Sequence, residues 1–324
     1  MCLNVLITGA AGFIGSALVK KILRDNRIGK VIGVDNLHGD IALKSARLQS
    51  IEKLKSAKWQ FVFGDISDAV FMQSVLAEYK PRVVVNLAAQ AGVPYGELYP
   101  EKTFQPNVAG FFTILNACAN SRVKHFIFAS SSSVYGNKSN CDAPQSFYAA
   151  TKRADEILAY SFTDKISVTG LRLFSVYGQW GRPDMLYFKA AENFLRDEPI
   201  YLYDYGKIRR DFTFVGDVAE SFSRVIFKKP KQNFNLYDVG RGQPLNILGF
   251  VSVLIPELIA ENVLKKDVEH YNKLIRFEPA TAADILSTRA DVAPFKRDFN
   301  FVPQTDICTG LEEFARWFKS YQRR

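Results

Sequence analysis

The amino-terminal end of the chain carries a glycine-rich turn with regular spacing: Thr8-Gly9-Ala10-Ala11-Gly12-Phe13-Ile14-Gly15. This turn follows a strand candidate, Asn4–Thr8, and opens a helix candidate, Ala11–Arg24. Gly9 allows the tight turn, Gly12 lets the backbone approach a pyrophosphate, and Gly15 lets the helix pack on the sheet. The helix N-terminus then offers unpaired N–H groups to the anion. The spacing predicts a dinucleotide site; a merely tight turn is the alternative.

The first half of the chain alternates short apolar runs with helical patterns. The runs that predict strands are apolar on both faces, as in a parallel sheet covered by helices; they are Asn4–Thr8, Val31–Val34, Gln60–Phe63, Val83–Leu87, Phe126–Ala129 and Val168–Leu173. Helical segments are predicted between these strands, for example Ala11–Arg24, Phe71–Glu78, Phe111–Asn120 and Ala149–Tyr160. Repeated βα units predict an α/β fold with a doubly wound parallel Rossmann sheet. Its ligands are expected at the carboxyl ends of the strands.

The pattern becomes less regular after Gly178, where aromatic residues and prolines increase. We predict a Rossmann domain over residues 1–176 and a smaller C-terminal α/β domain, mainly substrate-binding, over residues 177–324. Phe234–Val239 is again strand-like, so the chain is expected to return to the first domain around 209–240. Thr309–Gln322 is a helix candidate, opened by a capping box of Thr309 and Glu312.

Composition limits the class of protein. Among 324 residues, 48% are hydrophobic and 23% charged, which is typical of a globular chain. The net charge of +9 suits an anionic ligand, and the basic residues are dispersed without a nucleic-acid motif. Four cysteines without C-x-x-C spacing predict no metal site and favour a reducing compartment.

Met1 to Val19 lacks the basic n-region of a signal peptide, and no apolar run is long enough to span a bilayer. We expect a cytoplasmic protein that binds neither nucleic acid nor membrane.

Two aspartates end predicted strands near the glycine turn. Asp35 lies twenty residues after Gly15, where a carboxylate accepts hydrogen bonds from an adenosine ribose and repels a 2′-phosphate. This position favours NAD over NADP, with an N-cap or turn role as the alternative. Asp65 ends the third strand, where it either reaches the adenine or caps a helix.

A tyrosine and a lysine stand four residues apart at the start of a helix, in Tyr148-Ala149-Ala150-Thr151-Lys152. This spacing puts the phenol and the ammonium on one helix face. A nearby cation favours the phenolate, so Tyr148 can act as a general base. The serine-rich end of the fifth strand, Ser130-Ser131-Ser132-Ser133, supplies a hydroxyl able to relay the proton of a substrate. Together, these motifs predict oxidation of a substrate hydroxyl by NAD.

The sequence resembles the extended short-chain dehydrogenase/reductase family, and within it the UDP-glucuronate 4-epimerases. The stretches that carry the resemblance are Val34–Leu37, Asn86–Val93, Ser130–Gly136, Ser146–Lys152, Phe174–Met185 and Arg209–Thr213. The resemblance implies a catalytic triad of Ser131, Tyr148 and Lys152, and NAD as a retained cofactor. It further implies C4 epimerisation of UDP-glucuronate to UDP-galacturonate through a 4-keto intermediate.

The motifs and the resemblance together predict two sets of contacts. The predicted cofactor-binding residues are Gly9, Gly12, Phe13, Ile14, Gly15, Asp35, Asn36, Asp65, Ile66, Leu87, Ala88, Ala89, Gln90, Asn107, Tyr148 and Lys152. The predicted substrate-binding residues are Ser131, Ser132, Ser133, Ser175, Arg182, Met185 and Arg210. Arg210 is expected on the diphosphate, whose oxygens match a guanidinium fork, and Arg182 near the sugar carboxylate. A solvated surface role is the alternative for both arginines.

Positions 132 and 133 distinguish related activities. Sugar-nucleotide dehydratases that resemble this chain place acidic residues there, and related decarboxylases a glutamate, whereas here both are serine. A hydroxyl accommodates a uronate carboxylate without like-charge repulsion. The serines therefore favour epimerisation. Epimerisation of a neutral or N-acetylated sugar nucleotide, the decarboxylase, dehydratase and reductase activities, and a non-catalytic NAD-bound module remain alternatives.

Three departures from the family pattern bear on the sugar. The segment from Asn137 to Phe147 is shorter than usual; Asn86 replaces a common histidine; and Pro94 and Gly96 replace an arginine and a serine. They leave the cofactor turn and the triad intact. By analogy with relatives, a homodimer is expected to form through the helices around Phe111–Asn120 and Ala149–Tyr160.

Overall fold

The computed structural model describes residues 2–136, 144–280 and 285–322. Its strands are β1 (Leu3–Thr8), β2 (Ile28–Asp35), β3 (Trp59–Phe63), β4 (Val83–Asn86), β5 (His125–Ser131), β6 (Ser167–Leu173), β7 (Ser175–Tyr177), β8 (Ile200–Tyr203), β9 (Arg209–Arg210), β10 (Phe212–Phe214), β11 (Phe234–Val239), β12 (Leu245–Asn246) and β13 (Ile275–Glu278). Its α-helices are α1 (Phe13–Ile22), α2 (Ile41–Glu52), α3 (Ala69–Tyr79), α4 (Val93–Leu98), α5 (Pro100–Phe104), α6 (Phe111–Ala119), α7 (Phe147–Tyr160), α8 (Leu186–Leu195), α9 (Val215–Phe227), α10 (Ile247–Ala260), α11 (Val268–Asn272), α12 (Ala293–Phe299) and α13 (Ile307–Gln322).

The chain forms two compact units. The first comprises Met1–Leu173, Ala219–Asp238 and Ala293–Phe301. The second comprises Phe174–Val218, Val239–Val292 and Val302–Arg324. No helix within the described residues is both long enough and apolar enough to span a membrane.

A seven-stranded sheet forms the centre of the first unit, in the order β11-β6-β5-β4-β1-β2-β3. The pairings from β3 through β1 to β6 are all parallel. The apolar runs predict this arrangement because β1 and β4 are buried on both faces, with Val5, Leu6 and Val84 fully buried. The strand order reverses between β1 and β4, which is where doubly wound sheets bind ligands. The predicted fold class, a doubly wound Rossmann-type sheet, is confirmed.

Some predicted boundaries were wrong. The first helix begins at Phe13 rather than Ala11, because Gly12 is still extended, with φ −72° and ψ 171°. The last helix is not opened by a capping box at Thr309 and Glu312. Asp306 precedes it, and its carboxylate accepts hydrogen bonds from both the backbone N–H and the hydroxyl of Thr309. A carboxylate at this position caps a helix as well as a hydroxyl does.

The described part of the second unit contains three two-stranded sheets, β7 with β10, β9 with β12 and β8 with β13. Its core is aromatic: the rings of Phe212 and Phe250 stack with centroids 3.8 Å apart, and Tyr187 meets Phe314 edge-to-face at 4.7 Å. Buried Asp211 accepts hydrogen bonds from three backbone N–H groups of this unit. The unit therefore has its own hydrophobic core.

Candidate cofactor and catalytic site

The glycine turn between β1 and α1 has no room for side chains. Gly9 has φ +66°, and a Cβ there would lie 2.7 Å from the backbone of Leu87 and Ala88. A Cβ on Gly15 would lie 2.1 Å from the carbonyl oxygen of Gly9. No side chain caps α1 at Gly12, so the N–H groups of its first turn are available to an anion. This geometry fits the pyrophosphate of a dinucleotide.

Asp35 at the end of β2 is buried and ties the glycine turn to α2. Its Oδ2 accepts a hydrogen bond from Ala11 N at 3.0 Å. Its Oδ1 accepts from Leu37 N and from Lys44 Nζ, both at 2.8 Å. Sequence reasoning did not single out Lys44. The carboxylate is thus held in one orientation beside the turn.

The other predicted residues on this side of the sheet lie near the ends of β2 and β3. Asn36 Nδ2 donates to Asp65 Oδ2 at 2.7 Å, and Ser67 N donates to Asp65 Oδ1 at 2.8 Å. Although partial burial opposes ionisation, these hydrogen bonds hold the pKa of Asp65 below its ordinary value. Ile66 is buried and belongs to the hydrophobic core. Asn36 and Asp65 are therefore joined by a hydrogen bond at the ends of β2 and β3, and Ile66, the neighbour of Asp65, packs in the hydrophobic core.

The segment after β4 contains the predicted residues Leu87 to Gln90. Ala88 N donates to Thr8 Oγ1 at 3.3 Å, so this segment lies against the glycine turn. Asn107 lies in a π-helical turn, Gln105–Gly110. Its Oδ1 accepts from Gln90 N at 2.7 Å, and its Nδ2 donates to Thr151 Oγ1 at 3.1 Å. Asn107 thereby links the end of β4 to α7, and π-helical turns often mark functional sites.

Ser131 ends β5, directly after Ala129 and Ser130. Its Oγ accepts a hydrogen bond from Ser133 N at 3.1 Å and starts a 3-10 helix over Ser132–Tyr135. Residues 137–143 of the shortened segment, which precedes Tyr148, lie outside the described residues.

Helix α7 carries Tyr148 and Lys152. It begins at Phe147 because Ser146 Oγ accepts a hydrogen bond from Ala149 N at 3.1 Å. Tyr148 is half-buried. Lys152 is buried, and its Nζ donates to Ala129 O on β5 at 3.1 Å. The lysine thus joins the start of α7 to the end of β5, the strand that carries Ser131.

The Lys152 ammonium keeps its charge despite burial. Burial by itself disfavours the cation, but the charges of Asp155 and Tyr148 outweigh it, so the pKa of Lys152 lies above its ordinary value. Asp155 Oδ2 accepts from Lys152 Nζ at 3.1 Å. Sequence reasoning missed Asp155, although its spacing three residues after Lys152 on the same helix was a usable signal.

A buried ion-pair network lies behind the serine-rich strand end. Glu156 on α7 accepts a hydrogen bond from Ser130 Oγ at 2.6 Å and binds Arg172 of β6 through both carboxylate oxygens, at 2.7 and 2.8 Å. Arg172 also donates to Tyr135 OH at 2.7 Å. A bidentate pair of this kind fixes orientation as well as charge. The network holds the residue next to Ser131 against α7, and sequence reasoning missed it.

The predicted substrate residues divide between the two units. Ser131, Ser132 and Ser133 belong to the first unit, and the second contains Ser175, Arg182, Met185 and Arg210. Ser175 begins β7, and its backbone N–H donates to Asp211 O at 3.0 Å.

The remaining three residues have the following contacts within the second unit. Arg182 forms a bidentate pair with Asp184, at 2.9 and 3.0 Å. Met185 precedes α8, and Arg210 on β9 donates to Ile285 O.

Comparisons with known proteins show which family the chain is similar to. The sequence model of the NAD dependent epimerase/dehydratase family matches residues 5–240. Protein CapI of Staphylococcus aureus is 35% identical, with 99% of this chain and 100% of that protein covered. UDP-glucuronate 4-epimerase 3 of Arabidopsis thaliana is 33% identical, with 98% of this chain and 77% of that protein covered.

A solved structure shows the same fold. The UDP-glucuronic acid 4-epimerase of Bacillus cereus, in complex with UDP-glucuronic acid and NAD, superposes with a TM-score of 0.86. It is 27% identical, and 98% of this chain and 100% of that chain are covered. The predicted family and NAD as cofactor are thereby confirmed. With the match extending from β1 to just beyond β11, this chain belongs to the NAD-dependent epimerase/dehydratase family of enzymes.

Proposed function

We propose that this protein epimerises a UDP-uronate at C4, converting UDP-glucuronate to UDP-galacturonate. The observation that carries the proposal is the arrangement around β5 and α7: Lys152 joins the two elements, Ser131 ends β5, and Tyr148 lies in the first turn of α7. Serines rather than acids follow at positions 132 and 133. The likeness to UDP-glucuronate 4-epimerases supports the same reading.

In this mechanism, Tyr148 takes the proton of the sugar 4-hydroxyl while Lys152 stabilises the phenolate. Ser131 bridges the phenol and the substrate oxygen. NAD, when bound, would supply the hydride acceptor for oxidation at C4 and the hydride donor for reduction on the opposite face of the sugar. Tyr148 then returns the proton. No second acid is needed, because epimerisation removes neither water nor carbon dioxide.

The cofactor would be held by the glycine turn and its neighbours. The N–H groups at the start of α1 bind the pyrophosphate, and Asp35 accepts hydrogen bonds from the adenosine ribose. Asn36, Asp65 and Ile66 lie near the adenine. Further contacts come from Phe13, Ile14, Leu87, Ala88, Ala89, Gln90 and Asn107, and Lys152 also holds the nicotinamide ribose.

The sugar and its carboxylate would contact Ser132, Ser133, Ser175, Arg182 and Met185, and Arg210 would bind the diphosphate. One observation favours a second candidate, epimerisation of a neutral or N-acetylated sugar nucleotide. The Nε and Nη2 atoms of Arg182 donate hydrogen bonds to the Asp184 carboxylate. The negative charge of Asp184 offsets part of the positive charge of Arg182. A partly neutralised arginine discriminates less strongly in favour of a carboxylate.

Incubation of the purified protein with UDP-glucuronate tests the proposal, with the anomeric protons followed by NMR. A mixture of glucuronate and galacturonate nucleotides is expected. Conversion of UDP-glucose or UDP-N-acetylglucosamine instead would establish the second candidate. Release of carbon dioxide would indicate a decarboxylase, and absence of any reaction would leave a non-catalytic NAD-bound module.

A homodimer is part of the proposal. The adjoining helices α6 and α7 expose large apolar side chains, with Phe112 45%, Ile157 58% and Tyr160 65% exposed. Such side chains are typical of a buried interface. We also infer a cytoplasmic location, because Cys2 and Cys308 are exposed free thiols, which a reducing compartment preserves.

A further inference from the structure

One buried carboxylate beside Lys152 has no part in the mechanism above. Asp155 lies on α7, three residues after Lys152, and is 0% exposed. Its Oδ2 accepts a hydrogen bond from Lys152 Nζ at 3.1 Å. Its Oδ1 has no hydrogen-bond partner within the part of the chain that the structure describes. A buried carboxylate oxygen without a partner costs stability, so the position calls for an explanation beyond packing.

The ammonium of Lys152 is shared between several partners. It carries three protons, of which one goes to Ala129 O and another to Asp155. Tyr148 also interacts with it electrostatically. Asp155 and an ionised Tyr148 are therefore two anions that both interact with the Lys152 ammonium.

The charges around Asp155 come from its own helix. Burial raises the pKa of Asp155 to about 7, while Lys152 opposes the rise and Glu156 adds to it. Glu156 is itself paired with Arg153 of α7 and Arg172 of β6. Within the described residues, the elements that pack most closely against α7 carry these further titratable side chains: Tyr95 and Glu97 on α4, Glu101 and Lys102 on α5, Cys118 on α6, His125 on β5 and Tyr135 in the 3-10 helix.

We propose that Asp155 is a positioning residue, which holds the Lys152 ammonium and, as its counter-charge, limits how strongly that ammonium stabilises the Tyr148 phenolate. This inference rests on the proposed role of Tyr148 as the base. An opposite charge at hydrogen-bond distance reduces the field of a cation at a third group. An ionised Asp155 therefore makes the phenolate less favourable, and a neutral residue there makes it more favourable.

The variant Asp155→Asn separates charge from position. Its amide oxygen still accepts the hydrogen bond from Lys152, so the ammonium stays in place while the negative charge is lost. With the cation less compensated, the phenolate persists to lower pH. We expect the midpoint of the phenol titration to fall by about one pH unit.

The titration is measured on the NAD-bound protein without sugar. The ultraviolet difference between each protein and its Tyr148→Phe counterpart reports this one phenolate as pH is varied. Asp164→Asn is the matched control, because it removes one exposed carboxylate just after α7. The control is expected to leave the midpoint where it is in the parent. A midpoint unchanged in Asp155→Asn, or shifted equally in the control, would overturn the inference.

A second measurement covers the case in which Asp155→Asn does not fold. Aspartate labelled with carbon-13 at the carboxyl is titrated by NMR in the parent and in Lys152→Met. One carboxyl resonance is expected to titrate at least about one pH unit higher when the ammonium is removed. If no carboxyl resonance moves, Asp155 and Lys152 are not coupled.

Neither readout needs a substrate, so the two proposals fail separately. Loss of the proposed function appears as no product from any sugar nucleotide, with the phenol titration still shifted. If epimerisation does occur, the acid limb of the kcat/KM profile of Asp155→Asn should move in the same direction as the titration, and KM should change little.

Discussion

At the level of single side chains, the site combines a half-buried phenol with a buried cation. Lys152 is held from two sides, by Ala129 O and by Asp155. A cation that cannot move away stabilises a nearby phenolate more than a mobile surface lysine does, because no reorganisation is needed when the charge develops. This arrangement supports the proposed role of Tyr148 as the base.

Replacement of Tyr148 by phenylalanine removes the proposed base alone. We expect turnover to fall by on the order of a thousandfold, since general acid–base catalysis contributes that much, while NAD stays bound. Product formation by NMR and the absorbance of retained cofactor measure the two properties. Tyr160→Phe is the control, because Tyr160 is 65% exposed on the same helix. Retained turnover in Tyr148→Phe would show that Tyr148 is not the base.

A second substitution tests the contact with the carboxylate. Ser132→Glu places an anion where we expect the uronate carboxylate, so the KM for UDP-glucuronate should rise by on the order of tenfold. Ser132→Gln has the same size without the charge and should bind clearly better than Ser132→Glu. Equal affinity of the two variants would show that the carboxylate lies elsewhere.

At the level of secondary-structure elements, the first βα turn was predicted with bounds from its glycines, whereas the helix between β2 and β3 was expected only from the βα alternation and was given no bounds. The reason is visible in its side chains. Ile41 is 62% exposed, whereas Arg47 is buried and donates to Ala11 O. Leu43, Leu48 and Ile51 are buried as expected, but an exposed isoleucine and a buried arginine weaken the pattern from which an amphipathic helix is recognised. Lys44, which binds Asp35, was not singled out.

The packing of α1 on the glycine turn gives a prediction for Gly15→Ala. The added Cβ would lie 2.1 Å from the carbonyl oxygen of Gly9, so the helix must shift. We expect unfolding free energy to fall by about 1–3 kcal/mol, and NAD to bind more weakly. Gly249→Ala in α10 is the control, since its nearest neighbours would be side chains. Denaturant unfolding and cofactor titration measure both effects; unchanged NAD affinity would contradict the role of this turn.

Helix α7 shows how an element can be predicted and yet remain incompletely understood from sequence. Its extent, Phe147–Tyr160, differs from the predicted Ala149–Tyr160 by two residues, because Ser146 caps it. Its contacts were not predictable, since Asn107 reaches Thr151 across 44 positions of the chain. Such pairings depend on the strand order, which local patterns do not contain.

At the level of the whole protein, self-association is the property that most depends on surfaces. Ile157→Glu puts a charge in the middle of the proposed α6–α7 interface, where burying it without a partner is costly. We expect a dimer for the parent and a monomer for the variant by light scattering. Val70→Glu is the control, because Val70 is 77% exposed on α3. A monomeric parent protein would contradict the proposed dimer.

Local chemistry alone was enough to predict the Rossmann sheet and the cofactor, and it led to the hypothesis of a Tyr148–Lys152 pair. Glycine spacing and two-faced apolar strands act through backbone geometry and burial, which neighbouring residues already specify. Asp155, the Glu156–Arg172 pair and the link from Asn107 to Thr151 became visible only with the folded chain. Their meaning depends on burial and on contacts between distant segments, and both arise when β5, β6 and α7 pack together.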